Sequence, residues 1–422
     1  MVKALVEIFT TPAIMLGIVA LIGLLLQGKS TSECISGTFK TILGVLILSS
    51  GAGVIVQSLG PFSDLFTKAF NLTGVVPFDE AVTGAVIQKI AVVAKTSSLI
   101  IAFGFVVNLV LARLTPFKYI FLTGHMIWIL AGFLAFALYD LGLSETNIVV
   151  VGSLVQGAVL TLLPAIAQPI MRQVTGSNEF GYGHLTTLGV VAGALVGKMV
   201  GNPSESSEDL KVPQSLEFFR DTAISISVVM LVIYLVTVLV AGPAAVAKVS
   251  QGQSPVTYAV VQALTFTAGV LILLQGVRMF LGEIIPSFRG IALKVVPGAI
   301  PALDCPVVFP YAPTALMLGF VSSVIGMIVG MLVSRLFGTV IPLPSIIGGF
   351  FTGGTSGIFG NAVGGRRGAI VAGFVYGLIL TIPVALFYPL YDLPKYGITG
   401  VAMLVPDGLA VLAIIKAVAS IF

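Results

Sequence analysis

Charged residues are sparse along this chain, and they divide it into long apolar runs. A helix needs about 20 residues to cross a hydrocarbon core about 30 Å thick. Runs with little or no charge that approach or exceed this length lie at residues 8–28, 41–62, 96–113, 119–139, 147–170, 222–247, 255–277, 313–334, 338–360, 368–391 and 397–421. The pattern predicts an all-α integral membrane protein with about eleven transmembrane helices.

Three further apolar segments are too short to span, and glycine or proline interrupts them. They lie near residues 82–95, 183–197 and 295–313, and the last contains five prolines. Irregular backbone is tolerated at membrane depth only where protein or a water-filled cavity satisfies its hydrogen bonds. We expect re-entrant segments here that form the walls of a substrate site. The first span has no basic run or small-residue cleavage site before it, so we expect it to stay as a helix and not to be cleaved as a signal.

Composition and charge placement agree with a membrane location. Hydrophobic residues make up 57% of the chain and charged residues 9%, with a mean hydropathy of +1.11, which leaves too little polar surface for a soluble globule of 422 residues. Basic residues stay on the cytoplasmic side of short loops. Lys29, Lys40 and Arg113 then place the N-terminus outside and the C-terminus inside, with Arg335 and Lys395 as exceptions. The net charge of +4 is this positive-inside bias and predicts no nucleic-acid partner.

One apolar phrase occurs twice. "GVLILSSGAGVIVQSLGP" begins at Gly44 and "GVLILLQGVRMFLGEIIP" begins at Gly269, on predicted spans that cross in opposite directions. The similarity indicates inverted repeats, which in secondary transporters enclose a substrate site near the membrane midplane. The alternative is a chance similarity between two apolar sequences. The predicted organisation is a first five-helix repeat, a cytoplasmic loop with a re-entrant segment, a second inverted repeat and a final helix, at residues 1–175, 176–221, 222–392 and 393–422.

Four residues in this apolar material are candidate ligand contacts. Asp304 lies among prolines, and an intramembrane carboxylate needs a partner or a function; a structural helix cap is the alternative. His125 and His184 are the chain's two histidines, and imidazole offers a donor and an acceptor to a polyhydroxylated ligand, although either ring also suits a backbone hydrogen bond. Trp128 lies one helical turn after His125 and can stack on a ring or anchor the membrane interface.

Other chemistry lacks support in the sequence. Cys34 and Cys305 have no metal-ligand or disulfide-framework spacing. There is no Walker lysine loop and no GxGxxG motif, so the sequence predicts no bound nucleotide, no cofactor and no metal.

Several polar phrases carry a family resemblance over nearly the whole chain. They are "LTGHMIW", "GYGHLTT", "ESSEDLKVP", "LQGVRMFLGEI", "VPGAIPALDCPVVFPYAP" and "GNAVGGRRGAI". In this order they resemble the ascorbate-specific membrane subunit, enzyme IIC, of the bacterial phosphotransferase system. The resemblance implies a multi-pass permease of the bacterial cytoplasmic (inner) membrane that carries L-ascorbate. It also implies a homodimer, an elevator-like movement, and soluble enzyme IIB and IIA partners, of which IIB, phosphorylated on cysteine, phosphorylates the solute.

The resemblance also implies the site. The family's ligand-contacting histidines match His125 and His184, and its aspartate matches Asp304. Where the family has two glutamines and a serine, this chain has Ile129, Leu185 and Ala52. A related sugar acid or polyol is therefore an alternative substrate. Thr186 and Thr187 are candidate ligand contacts that could replace the missing glutamine amides.

The implied mechanism groups spans 1, 2, 6 and 7 as a dimer scaffold. Spans 3–5 and 8–10, with the three short segments, form the moving body, and the loop 203–211 with Arg366 and Arg367 faces the IIB partner. An ion-coupled secondary transporter is the alternative function, since inverted repeats and a buried carboxylate suit it equally. A channel fits the broken helices less well.

Overall fold

The computed structural model describes residues 12–69, 74–209 and 222–420. The beginning of the first predicted span, residues 8–11, and residues 210–221 of the predicted cytoplasmic loop lie outside the described residues.

Helices dominate the described chain, which confirms the predicted all-α membrane class. The helices are α1 (Pro12–Leu26), α2 (Thr31–Ala69), α3 (Asp79–Lys89), α4 (Ala91–Leu114), α5 (Gly124–Asp140), α6 (Glu145–Thr175), α7 (Thr187–Val200), α8 (Thr222–Ala241), α9 (Pro243–Val246), α10 (Pro255–Lys294), α11 (Pro313–Ser334), α12 (Ile346–Gly348), α13 (Gly354–Ile379), α14 (Ile382–Phe387) and α15 (Pro406–Ala419). The strands are β1 (Val76–Pro77), β2 (Tyr119–Phe121), β3 (Gly181–Tyr182), β4 (Ile300–Leu303) and β5 (Val401–Ala402). Short 3₁₀ turns include Ser207–Asp209 and Cys305–Tyr311.

Among the described residues, six helical segments are long and apolar enough to cross a membrane. They are Thr31–Ala69, Ala91–Leu114, Glu145–Thr175, Pro255–Phe288, Pro313–Phe337 and Ile346–Tyr391. Three shorter apolar helices, α1, α5 and α8, coincide with predicted spans.

One predicted span looks different in the structure. The eleventh, residues 397–421, is a helix of only 14 residues, because β5 and the turn before Pro406 occupy its first part.

The ninth and tenth predicted spans correspond to two helices: α12, a π-helical turn (Gly349–Gly353) and the first part of α13 form one, and the rest of α13 forms the other. The chain turns back between them at Gly365, whose φ of +62° only glycine adopts readily. The two parts of α13 therefore pack against each other, and the Ser356 hydroxyl donates to the Ala372 carbonyl at 3.0 Å.

The two copies of the repeated phrase pack against each other. They lie on α2 and α10, and a Cβ at Gly51 would lie 2.7 Å from the Gly269 carbonyl oxygen, while one at Gly276 would lie 2.9 Å from that of Gly44. The first glycine of each copy thus meets the second of the other, so the helices run antiparallel with local twofold symmetry. Glycine allows this close approach of two backbones, as at small-residue helix contacts in membranes.

The long helices pack in two groups. In the first, α1, α2 and α8 pack on α10. In the second, α11 packs on α13, α13 on α7, and α4 on α6, while α15 contacts α5 and α7. The first group contains the spans assigned to the scaffold, and the second contains those assigned to the moving body together with α15, which was assigned to neither. The division into scaffold and moving body stays a prediction.

A small parallel sheet joins three distant parts of the chain. β4 lies between β2 and β3, with Phe121 and Gly181 both opposite Ala302. The helical pattern did not predict this sheet. It forms in and beside segments 183–197 and 295–313, where irregular backbone was predicted, because pairing between strands satisfies backbone groups that no helix satisfies.

Candidate functional site

Each of the three sheet strands ends beside a polar candidate residue. His125 lies in the first turn of α5, four residues after β2 ends; His184 follows β3 by two residues, and Asp304 directly follows β4. Because the strands are parallel, their carboxyl ends lie at one edge of the sheet. The structure therefore brings together three residues that the sequence separates widely.

The three side chains face one another across a narrow gap. Nδ1 of His125 lies 3.8 Å from Oδ2 of Asp304, and Nε2 of His184 lies 3.7 Å from Oδ1 of the same carboxylate. The imidazole rings meet edge to face with centroids 6.0 Å apart. Both nitrogen–oxygen distances exceed hydrogen-bond length. The groups are therefore close enough for a ligand atom to bridge them.

Exposure falls across the site from one histidine to the other. The side chains of His125 and Asp304 are 43% and 32% exposed, whereas that of His184 is 5% exposed. The site therefore opens at His125 and ends at His184.

Thr186 holds the His184 ring in place. Its hydroxyl lies 2.8 Å from Nδ1 of His184 and 2.9 Å from the hydroxyl of Tyr182, whose ring also stacks on the imidazole. Thr187 donates to the His184 carbonyl at 2.7 Å. Both predicted threonines are buried, and their hydroxyls are engaged within the chain.

Asp304 acts as a helix cap and still faces the gap. Its Oδ1 accepts a hydrogen bond of 2.7 Å from the Cys305 N–H, at the start of the 3₁₀ turn. Asp304 is therefore a helix cap, as the alternative interpretation expected, and the same carboxylate also faces the two histidines. Oδ2 is left for a partner on the His125 side.

Two helices begin at this edge of the sheet. α5 begins at Gly124, beside His125, and α7 begins at Thr187, three residues after His184. A helix N-terminus carries a partial positive charge and unpaired N–H groups. The local backbone therefore favours a ligand with negative charge or several acceptor oxygens.

The remaining predicted positions have an apolar setting. Ile129 and Leu185 are fully buried in a hydrophobic cluster, and Trp128 packs half-buried against it. The side chain of Ala52 is not among those described.

Buried acids around the site were not recognised as supports from the sequence. Asp407, in the first turn of α15, accepts from the Leu188 N–H in α7, and Asp79 accepts from the Leu404 N–H at 2.7 Å, just before α15. Thr123 donates to the Gly183 carbonyl, which joins the segments that carry the two histidines. The available signal for Asp407 was a carboxylate within an apolar run, directly after a proline.

The described part of loop 203–211, residues 203–209, lies against the turn at Gly365, and we call loop 203–211 the acidic-serine loop. Arg366 pairs with Glu205 at 3.0 Å, and Asn361 accepts from the Ser207 N–H at 2.8 Å. The Glu208 carboxylate, also in this loop, accepts a hydrogen bond from the Ala315 N–H at the start of α11. The loop and the basic pair are therefore neighbours.

Comparison with known proteins identifies the family of this chain. The ascorbate-specific PTS system EIIC component of Mycoplasma pneumoniae (strain ATCC 29342 / M129 / Subtype 1) is 26% identical over 427 residues, which cover 89% of this chain and 64% of that protein. The chain thus spans less than two thirds of the length of this relative. Residues 7–407 match the EIIC-GAT family profile, described as the PTS system sugar-specific permease component. The chain is therefore a multi-pass membrane protein that belongs to the family of sugar-specific permease components of the phosphotransferase system.

Proposed function

We propose that this chain carries L-ascorbate, or a related sugar acid, through the bacterial cytoplasmic membrane as the enzyme IIC of a phosphotransferase system. The observation that carries the proposal is the meeting of His125, His184 and Asp304 at one edge of a sheet surrounded by apolar helices. Imidazole and carboxylate together donate to and accept from the hydroxyls of a sugar-like ligand.

The surroundings favour a sugar acid over a neutral polyol. The N-termini of α5 and α7 stabilise negative charge, and a protonated histidine would add to this effect. The name of the M. pneumoniae relative supports ascorbate, an acidic sugar derivative. The buried side chains of Ile129 and Leu185 are apolar and offer a ligand no hydrogen bond, so we assign selectivity to the three polar side chains.

We propose that the solute moves with the helix group that holds the site. All three site residues belong to the sheet and its adjoining helices, while α1, α2, α8 and α10 pack as a separate group. The latter group would serve as the scaffold of a homodimer. Cross-links between α2 and the segment around His125 should then change when substrate is added, and unchanged cross-links in every state would contradict an elevator.

Coupling to phosphorylation would occur on the face of the Glu205–Arg366 pair. Arg367, next to this pair, is exposed and suits an acidic surface on an enzyme IIB partner, which would itself receive its phosphoryl group from IIA. The chain would then supply the substrate site and IIB the chemistry.

Uptake in cells that lack the general phosphotransferase proteins tests this function. We expect no accumulation of labelled L-ascorbate there, and accumulation as a phosphate ester when those proteins are restored. Full accumulation of unmodified solute without them would instead support the ion-coupled transporter. A variant with Asp304→Asn provides the site control in both strains.

A further inference from the structure

The gap between the three site residues has the dimensions of an ion site. One ligand atom from each of His125, His184 and Asp304 lies within 4.8 Å of the other two. Nδ1 of His125 lies 3.8 Å from Oδ2 of Asp304, and Nε2 of His184 lies 3.7 Å from Oδ1. Ligand atoms about 2.1 Å from one tetrahedral ion lie about 3.4 Å apart. Closing the triad around one ion therefore needs ligand atoms to approach by up to about 1.4 Å, and the exposed His125 side chain is free to make this movement.

The donor set selects one class of ion. Two imidazoles and one carboxylate suit zinc and its divalent transition-metal neighbours, whereas calcium and magnesium prefer oxygen ligands alone. The contact of Thr186 with Nδ1 of His184 leaves Nε2 to face the gap, and Cys305 N–H orients Asp304. Metal-ligating histidines and carboxylates are held by outer hydrogen bonds of this kind.

We propose that His125, His184 and Asp304 bind a divalent transition-metal ion. The three protein ligands leave a coordination position free on the exposed side of the site. The sequence predicted no metal site, because its two cysteines lack metal-ligand spacing. The three residues of this site form no spacing motif either, because each follows a different strand and the strands are far apart in the chain. The ion occupies the gap that a solute oxygen would bridge, so the ion and the solute exclude each other; this last step rests on the proposed function.

Zinc binding by the purified full chain tests the site without substrate. The protein carries a tag free of histidine, and ZnCl₂ is titrated calorimetrically into the detergent-solubilised sample. Since the chain has only two histidines, the background is small. We expect one zinc ion per chain and at least a tenfold weaker affinity for each of His125→Gln, His184→Gln and Asp304→Asn. The matched control Asp392→Asn, at an exposed acid, should bind as the parent does.

Two outcomes would overturn the proposal: no saturable zinc binding by the parent chain, or the same affinity in the combined triple variant. His125→Gln keeps the test decisive if the buried variants fail to fold, because this side chain is exposed. Thr186→Val should weaken binding about tenfold through the His184 ring, with the absorbance of bound Co²⁺ as a second readout of ligand geometry.

An uptake measurement tests exclusion separately. Zinc, which has no redox chemistry, should inhibit L-ascorbate uptake by the parent, half-maximally near the concentration that half-saturates the triad in calorimetry. Magnesium at the same concentration should not inhibit, because it prefers oxygen ligands alone. Unchanged uptake at zinc concentrations that saturate the triad would refute exclusion. Absence of L-ascorbate uptake without zinc would instead contradict the proposed function and leave the calorimetric result standing.

Discussion

The Asp407 carboxylate accepts a hydrogen bond of 3.0 Å from the backbone N–H of Leu188. The Asp407 N–H in turn donates to the Leu185 carbonyl, so the beginnings of α15 and α7 are tied in both directions. His184 lies directly before this tie. A residue of the last helix therefore fixes the backbone next to the site.

Removal of this carboxylate should loosen the site. In Asp407→Ala, the Leu188 N–H loses its partner in a buried setting, which should cost about 1–3 kcal/mol of stability and weaken ligand binding. Asp407→Asn keeps one acceptor oxygen and should do less. Thermal unfolding and a binding isotherm provide the measurements, with exposed Asp392→Ala as control. Equal unfolding temperatures for Asp407→Ala and the control would refute the tie.

Asp304→Asn should weaken ligand affinity about ten- to hundredfold. The substitution keeps the shape and removes the charge, and a charge-assisted hydrogen bond contributes about 1.5–3 kcal/mol. His125→Ala and His184→Ala should also weaken binding, and Trp128→Leu should have less effect because that side chain packs against the hydrophobic cluster. Unchanged affinity in all three polar variants, in folded protein, would place the site elsewhere.

Gly51→Val should destabilise the crossing of α2 and α10. A Cβ at Gly51 meets the backbone of α10, which cannot yield as a side chain does; overpacking of this kind costs about 1–3 kcal/mol. Gly53 lies two residues further along the same helix, and a Cβ added there would have no neighbouring atom within 4 Å, so Gly53→Val is the matched control. Similar unfolding temperatures for the two variants would contradict close backbone contact.

Gly365→Ala and Gly338→Ala separate backbone strain from steric contact. Both glycines have positive φ, +62° and +65°. A Cβ at Gly338 meets nothing within 4 Å, whereas one at Gly365 meets the carbonyl oxygen of Glu205. We expect about 1 kcal/mol of destabilisation at Gly338 and clearly more at Gly365, with displacement of the acidic-serine loop. Protease accessibility of that loop, compared between the two variants, measures the displacement.

Asp140 gives a pH-dependent contribution at the other end of α5. Burial alone would raise the pKa of its carboxyl, but hydrogen bonds from Lys416, Tyr396 and Lys395 lower the pKa from 3.8 to about 2. A lowered carboxyl pKa stabilises the fold above about pH 4, and this contribution is lost as the pH falls toward 2. Asp140→Asn should unfold at a lower temperature than the parent at pH 6, with the difference shrinking at pH 3. A difference independent of pH would contradict this assignment.

The sequence predicted the parts of this structure that local pattern determines. Apolar runs predicted the long helices, and the repeated phrase predicted two related helices, which meet at Gly51 and Gly269. Buried charge pointed to Asp304, and the scarcity of histidine pointed to His125 and His184. The sheet could not be predicted, because two- to four-residue strands such as β3 carry no periodicity. The roles of Asp407 and Thr186 were missed for a related reason: each depends on a partner that only the folded chain brings near.

The sheet also has a consequence for biogenesis. β2 and β3 come from the first half of the chain, but β4, which lies between them, is synthesised much later. Until the ribosome has passed Leu303, β2 and β3 have no strand between them, and Asp304 does not yet exist. A nascent chain that ends after α7 would thus be inserted without a working site, and its unpaired strand edges would need shielding by the translocon or a chaperone until the second half arrives.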